Sequence, residues 1–362
     1  VTKTSSIGRL RRTAHRRAEG RRRRQRSRRH RAKGPKIGNR QEWFGLMAVS
    51  LPGLAALAAL LFTWMQVGQA SKELRISEQG QITNRFNAAV TNLGSDSVDV
   101  RLGGIYGLER IMQDSARDHP TVVSVLTAYV RRHAPLPKSD TERKKTTAPE
   151  ETPPTDIEAV MNVLAERPLG VSEAFGLDLS RTELRGLRSG QGGSRFAFTV
   201  FQETDLTGAD LTGADMHSAD LTNAILRASI LTDARLSGAD LTDADLNGAN
   251  LDKAWLNSAQ LTDASLTRVQ LNGAFLNSAI LTGASLNGAD LVGTQLTLAN
   301  LRKADLTGAN LTEADLTGAN LTGADLTGAD LTGADLTGAN LHDTRLTGAK
   351  LQGVRGIPPS QR

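Results

Sequence analysis

The sequence predicts a mainly β chain in which a four-sided β-solenoid follows a transmembrane helix and a small α-helical domain. Three observations predict it. An apolar residue recurs at every fifth position from Leu206 to Leu351, residues 43–65 carry no charge, and residues 72–134 place apolar side chains at helical spacing. The five-residue period excludes both regular elements. A helix turns about 100° per residue, so a step of five rotates roughly 140° and scatters the leucines around the axis. A strand alternates faces and would send successive leucines to opposite sides.

Composition narrows the alternatives. The chain has 362 residues, a formal net charge of +6 and no cysteine, which removes disulfide frameworks and thiolate metal sites. The charge is unevenly spread. Residues 1–40 hold 17 Lys and Arg against the single acid Glu19, a net +16, and leave −10 for the remainder.

The first segment, 1–41, contains RRRRQRSRRHR from Arg21 to Arg31 and no apolar periodicity, so a disordered tail is expected. Anionic lipid and nucleic acid are its two candidate ligands, both through charge alone. Because the chain opens on Val1, a reading frame extended upstream of the true start is a third account of residues 1–30.

Segment 42–66 includes WFGLMAVSLPGLAALAALLFTWM, residues 43–65. As a helix it extends about 35 Å, enough to cross a lipid bilayer core of roughly 30 Å. Trp43 and Trp64 lie near its ends, where interfacial aromatics belong. A cleaved signal peptide, cut after Gly68-Gln69-Ala70, fits less well because the preceding basic region and the apolar run are both too long. A single-pass cell-membrane anchor follows, with the basic tail inside and the C-terminal domain extracytoplasmic.

Segment 71–134 reads as an α-helical domain of three runs: Leu74, Ile82, Phe86, Val90 and Leu93; Val98, Leu102, Ile105, Leu108 and Met112; and Val122, Val125, Leu126 and Tyr129. Pro120 suits the first turn of the third run. His119 and His133 flank that run as capping and surface residues. Segment 135–155 is a charged, Pro-rich linker, and 156–195 holds a final helix, with Asp156 as its N-cap, and a first irregular coil.

Segment 196–355 solves the five-residue period if the chain turns about 90° every five residues. Each leucine then enters a square coil, and four pentapeptides close a turn of 20 residues. The inward ladder starts at Phe196, Phe201, Leu206, Leu211, Met216 and Leu221 and continues to Leu316, Leu321, Leu326, Leu331 and Leu336. The alanine two positions earlier also points inward, while Asp or Asn, Thr and Gly form the outer wall and corners. TELRG, from Thr182 to Gly186, is a repeat in another phase, with residues 188–195 inserted as a loop. Residues 356–362 form a short tail.

The repeated ADLTG and ANLTG units resemble the pentapeptide-repeat family, whose signature is A(D/N)LXX. That resemblance covers about 150 residues and implies a right-handed quadrilateral β-helix. EQGQITNRFNAAV followed by VRLGGIYGLERI is similar to the helical preface of some membrane-anchored, actinobacterial-type members.

A binding site on such a wall must depart from the ADLTG background. Residues 20 apart share a column, so Arg235, Trp255, Phe275 and Gln295 form a stripe, with Ile280 at the next corner and Ile225 and Ile230 earlier. Arg235, Trp255, Phe275 and Ile280 are the candidate patch for a protein partner or self-association, against the alternative of repeat drift. From Phe196 onward 19 acids face 10 cations. The family includes acidic β-helices that resemble duplex DNA and modulate DNA gyrase or topoisomerase, and this is the alternative to a membrane-tethered scaffold. Stacked aspartates offer a divalent-cation ladder as a further option. No phosphate-cradling, zinc-protease or nucleophile-elbow motif occurs, so no catalytic residue, cofactor or metal site is expected.

Overall fold

The computed structural model describes residues 40–137, 152–167, 176–188 and 193–357. The expected disordered tail, residues 138–151 of the linker, residues 189–192 of the inserted loop and the last five residues lie outside the described residues. The chain divides into two compact units, Val1–Glu73 and Leu74–Arg362.

Helix α1 runs from Arg40 to Leu93, 54 residues. The sequence suggested a membrane helix ending at 66 and a separate helical domain from 71. Instead, Gly68-Gln69-Ala70 is helical, and the Ser71 hydroxyl donates to the Gly68 carbonyl at 2.9 Å. One glycine amid residues of fair helix propensity does not stop a helix. In the first unit the apolar side chains from Leu54 to Val67 are exposed, Trp64 to 76 %. Its helix is long and apolar enough to cross a membrane.

The second unit begins with the last turns of α1, followed by α2 (Val98–Asp114), α3 (His119–His133) and α4 (Thr155–Glu166). Ala89 and Leu93 are buried, with Ile82 and Phe86 packed alongside. Leu74 and Val90, expected on that face, are exposed, and so is Val98 on α2. Within the second unit the turns around Ala89 and Leu93 meet the bundle, and Leu74, farther up the helix, is uncovered among the described residues. Gly104 marks the closest approach, because a Cβ there would lie 2.7 Å from the Ala89 carbonyl.

Two sequence expectations fail here. Pro154 occupies the N-cap position of α4, and Asp156 lies inside the helix, buried. His119 is buried too, and burial together with the nearby Arg167 charge lowers its pKa.

The helices close one end of the solenoid. Residues leaving α3 pair antiparallel with the first coil through Pro135 and Thr182, and Glu183 N–H reaches the Ala134 carbonyl at 2.8 Å. At the end of α4, Arg195 N–H donates to the Ala165 carbonyl at 3.1 Å. Ile157, Val160 and Leu164 share one apolar core with Leu177, Leu179, Leu184 and Phe196. A repeat array needs such a cap, because its end coil would otherwise expose its interior.

Beyond the cap, parallel bridges recur every five residues and join residues 20 apart, from Arg195–Asp215 to Asp335–Arg355. In the first coil the partners are 22 apart, as in Glu183–Asp205, because two extra residues separate Arg188 from Arg195. Leu184 of the TELRG unit is buried within this coil. Every inward-ladder residue from Phe196 to Leu336 is buried, and Phe196 meets Phe201 edge to face at 5.6 Å. At three of the positions where a hydroxyl residue replaces the inner alanine, a carbonyl satisfies it: Thr204 donates to Leu179, Ser229 to Leu226 and Thr294 to Leu271, whereas the buried Thr199 hydroxyl has no partner among the described residues. Among the described residues no coil follows the last one, and Leu346 and Leu351 are only partly buried.

Candidate interaction surface

Each side of the coil is built by one local device. The aspartate before the core leucine accepts the backbone N–H two residues on, as Asp330 does from Thr332 at 3.0 Å, and often the Thr hydroxyl as well. The residue two after the leucine then takes positive φ at the corner, +67° at Gly318, where glycine is at no disadvantage.

Replacing the aspartate removes that acceptor, and in the middle of the array asparagines supply another. Asn277 N–H, next to Phe275, is taken by Asn257 Oδ1 of the preceding coil at 3.2 Å. Thr297 N–H, next to Gln295, is taken by Asn277 Oδ1 at 3.1 Å. Asn247 and Asp252 serve Thr267 and Asn272 in the same way. The wall position is thereby released to carry other side chains.

Bridges place Arg235, Trp255, Phe275, Gln295 and Asp315 in one column. The Trp255 and Phe275 rings lie 5.4 Å apart at 49°, and Trp255 is 50 % exposed. Ile280 lies on the adjoining side, between Gln260 and Asn300, and is half-buried. Ile225 and Ile230 fall in two other columns and do not join the patch.

Sequence reading missed Leu298. It takes the glycine position of its pentapeptide, LTLAN for LTGAN, adopts φ +59° and is 65 % exposed. It lies on the coil of Gln295, three residues along. The missed signal was a leucine out of register with the ladder.

Charge on the wall is partly self-compensated. The final coil sets Arg345 over Asp325 at 3.2 Å, Lys350 over Asp330 at 2.8 Å and Arg355 over Asp335 at 3.5 Å. Lys350 and the Thr332 hydroxyl and N–H hold the Asp330 carboxyl down to about 2. His217 is bonded to Asp215 at 2.7 Å, and His342 is near Asp343 at the far end. Among the described residues no three His, Asp or Glu side chains converge as metal ligands.

A four-sided coil with a polar wall, a helical cap and an exposed aromatic column defines a β-solenoid repeat protein. The family described as pentapeptide repeats matches in eight copies between residues 193 and 353. HetL, a pentapeptide repeat protein involved in heterocyst differentiation regulation from the cyanobacterium Nostoc sp. strain PCC 7120, is 37 % identical over 52 % of this chain and 85 % of its own, with a TM-score of 0.37. A thylakoid-lumen pentapeptide repeat protein of Arabidopsis thaliana is 31 % identical over 28 % of this chain and 73 % of its own, TM-score 0.27. QnrB1, a plasmid-mediated fluoroquinolone resistance protein, is 22 % identical over 49 % and 92 %, TM-score 0.28. No curated protein matches the chain. The chain belongs to the pentapeptide-repeat family.

Proposed function

We propose that this protein is a membrane-tethered scaffold that binds a protein partner through the Arg235–Trp255–Phe275 column and Ile280, and performs no chemistry. The observation that carries the reading is the Trp255–Phe275 pair, two aromatic rings in contact on a wall built mainly of polar residues. A tryptophan half in solvent and backed by a phenylalanine ring is the kind of residue that anchors interfaces. The exposed apolar surface from Leu54 to Val67 supports a bilayer anchor through residues 43–65. The basic tail supports an orientation with the N-terminus on the cytoplasmic side, against anionic lipid, and the β-solenoid outside.

The alternative, an acidic DNA-like surface that modulates gyrase from the cytoplasm, has the net −9 of the repeat region in its favour. Against it, Arg345, Lys350 and Arg355 neutralise the last acidic rung, and the Asp side chains are engaged with their own coil.

Photo-crosslinking in intact cells tests the scaffold reading, with Trp255→benzoylphenylalanine as the probe. A protein adduct from position 255, and none from Ser285 on the opposite side, is expected. No adduct from either position would sink the reading. Protease treatment of protoplasts with a C-terminal tag tests the side of the membrane. Tag loss without lysis is expected, and protection until lysis would favour the gyrase alternative.

A further inference from the structure

We infer that the partner of the Trp255–Phe275 column is a second copy of this chain, docked side by side and antiparallel. The inference rests on reading that column as an interaction surface, and goes beyond it by naming the occupant. Its ground is the order of side chains up the column: Arg235, Trp255, Phe275, Gln295, Asp315. Rungs rise by about 4.8 Å, so this strip extends roughly 19 Å.

A two-fold axis crossing the rod at the level of Phe275 inverts that order. Arg235 then faces the second copy's Asp315, which keeps its charge while accepting the Thr317 N–H and the Thr297 hydroxyl of its own coil, Trp255 faces its Gln295, and Phe275 faces itself. Each copy contributes both halves of every pair, the condition for a closed isologous interface. The parallel arrangement fails the same test, because Arg235 would meet Arg235 and Asp315 would meet Asp315. Like charges opposed across an interface disfavour that register.

Leu298 fits the antiparallel pairing. It sits on the coil of Gln295 at the corner next to the column, so inversion brings it level with the second copy's Trp255. A leucine held at φ +59° strains the free rod, and contact with an aromatic ring covers apolar surface that the rod leaves in water. Farther out, Asp215 comes level with Asp335 and Arg195 with Arg355, two like-charge pairs that oppose the pairing, although His217 and Arg355 already attend the two carboxylates. Asp233 and Glu313, at the preceding corner, come level with each other and oppose the pairing. A short strip with such opposition makes a weak association, at the small end of specific interfaces.

The absence of native cysteine makes covalent trapping clean. The full chain, in its own membranes, is given single cysteines and oxidised. Phe275→Cys is expected to form disulfide dimers. Trp255→Cys mixed with Gln295→Cys is expected to form the mixed dimer in preference to either homodimer. Ser285→Cys, on the opposite side, stays monomeric.

Adding Arg235→Asp should lower the Phe275→Cys dimer roughly tenfold, the size of one close charge pair, and adding Asp315→Arg as well should restore it. Leu298→Gly should lower the yield while raising the melting temperature, which separates contact from folding. Dominant Trp255→Cys homodimers would overturn the antiparallel register. A monomeric Phe275→Cys whose position-255 photo-adduct is a different protein would overturn the second-copy inference and leave the scaffold reading standing. No adduct of any kind would sink both.

Discussion

Arg101 Nε donates to the buried Asp156 carboxylate at 2.8 Å, joining two residues 55 positions apart. The same carboxylate accepts the Tyr129 hydroxyl, so one acidic group ties α2, α3 and α4 together. Arg101 also donates to the Ser95 and Asp96 carbonyls, where the chain leaves α1. Burial works against the charged carboxylate, but the bonds from Tyr129 and Arg101 prevail and lower its pKa. Burial first, and then the bond to Asp156, push the Tyr129 hydroxyl up to about 12.

Removing the shared acceptor strands the Tyr129 phenol and leaves the Arg101 guanidinium only its two carbonyl partners. Asp156→Ala is therefore expected to destabilise the cap by about 1–3 kcal/mol, the range for leaving a buried donor such as the Tyr129 hydroxyl unsatisfied. The pH dependence has two limbs. The Asp156 contribution is complete above the ordinary carboxylate range and is lost as pH falls through its depressed folded pKa. The Tyr129 contribution is complete below about pH 10, the ordinary tyrosine value, and is lost as pH rises through about 12. Denaturant titrations of the parent and Tyr129→Phe check the alkaline limb, which the variant should lack.

The square coil leaves no room beside its leucines. Ala289 is 1 % exposed, so Ala289→Leu should overpack the coil and cost about 1–3 kcal/mol. Thr307 points outward, and Thr307→Leu should change stability by less than about 0.5 kcal/mol. Thermal melts of the two variants decide, and equal shifts would contradict the inward and outward assignments.

Leu298 holds a left-handed conformation that glycine adopts freely. Leu298→Gly should stabilise the free rod by about 0.5–1 kcal/mol, the relieved strain less the added freedom of the unfolded chain. Gly318 lies on the next coil against the same side chain, and a Cβ there would stand 2.8 Å from Leu298 Cδ2. Gly318→Ala should therefore cost more in the parent than in the Leu298→Gly background, a coupling that a double-mutant melting cycle measures.

The last acidic rung should titrate late. Asp330 ionises down to about 2, so its contribution is full above the ordinary carboxylate value and disappears as pH falls to about 2. Lys350→Met removes the largest cause and should raise the Asp330 pKa toward the ordinary range. Carboxyl carbon titration by NMR would show it, and an unmoved pKa would mean that the Thr332 bonds alone hold the carboxylate.

The coil was legible from residues alone because each pentapeptide states the whole solution locally. One large apolar residue, one small one and one acceptor at fixed spacing leave a single way to bury the leucine and bend the chain. The column of Arg235, Trp255 and Phe275 was equally legible, since a 20-residue turn makes vertical neighbours a matter of counting. Leu298 was overlooked because an apolar residue at a corner looks like noise until its φ and exposure are known.

The helical half was less legible. Asp156 after a Pro-rich stretch looks like an N-cap, and nothing nearby says that its carboxylate reaches Arg101 and Tyr129. Leu74 and Val90 carry the right spacing, yet whether a stripe is covered depends on where the next helix crosses. That crossing is set by Gly104 against the Ala89 carbonyl, a contact between distant segments. The helices' role as the cap of the first coil rests on pairings such as Pro135 with Thr182. Local repetition is enough to specify a solenoid, whereas contacts between segments without repeats exist only once the chain has folded.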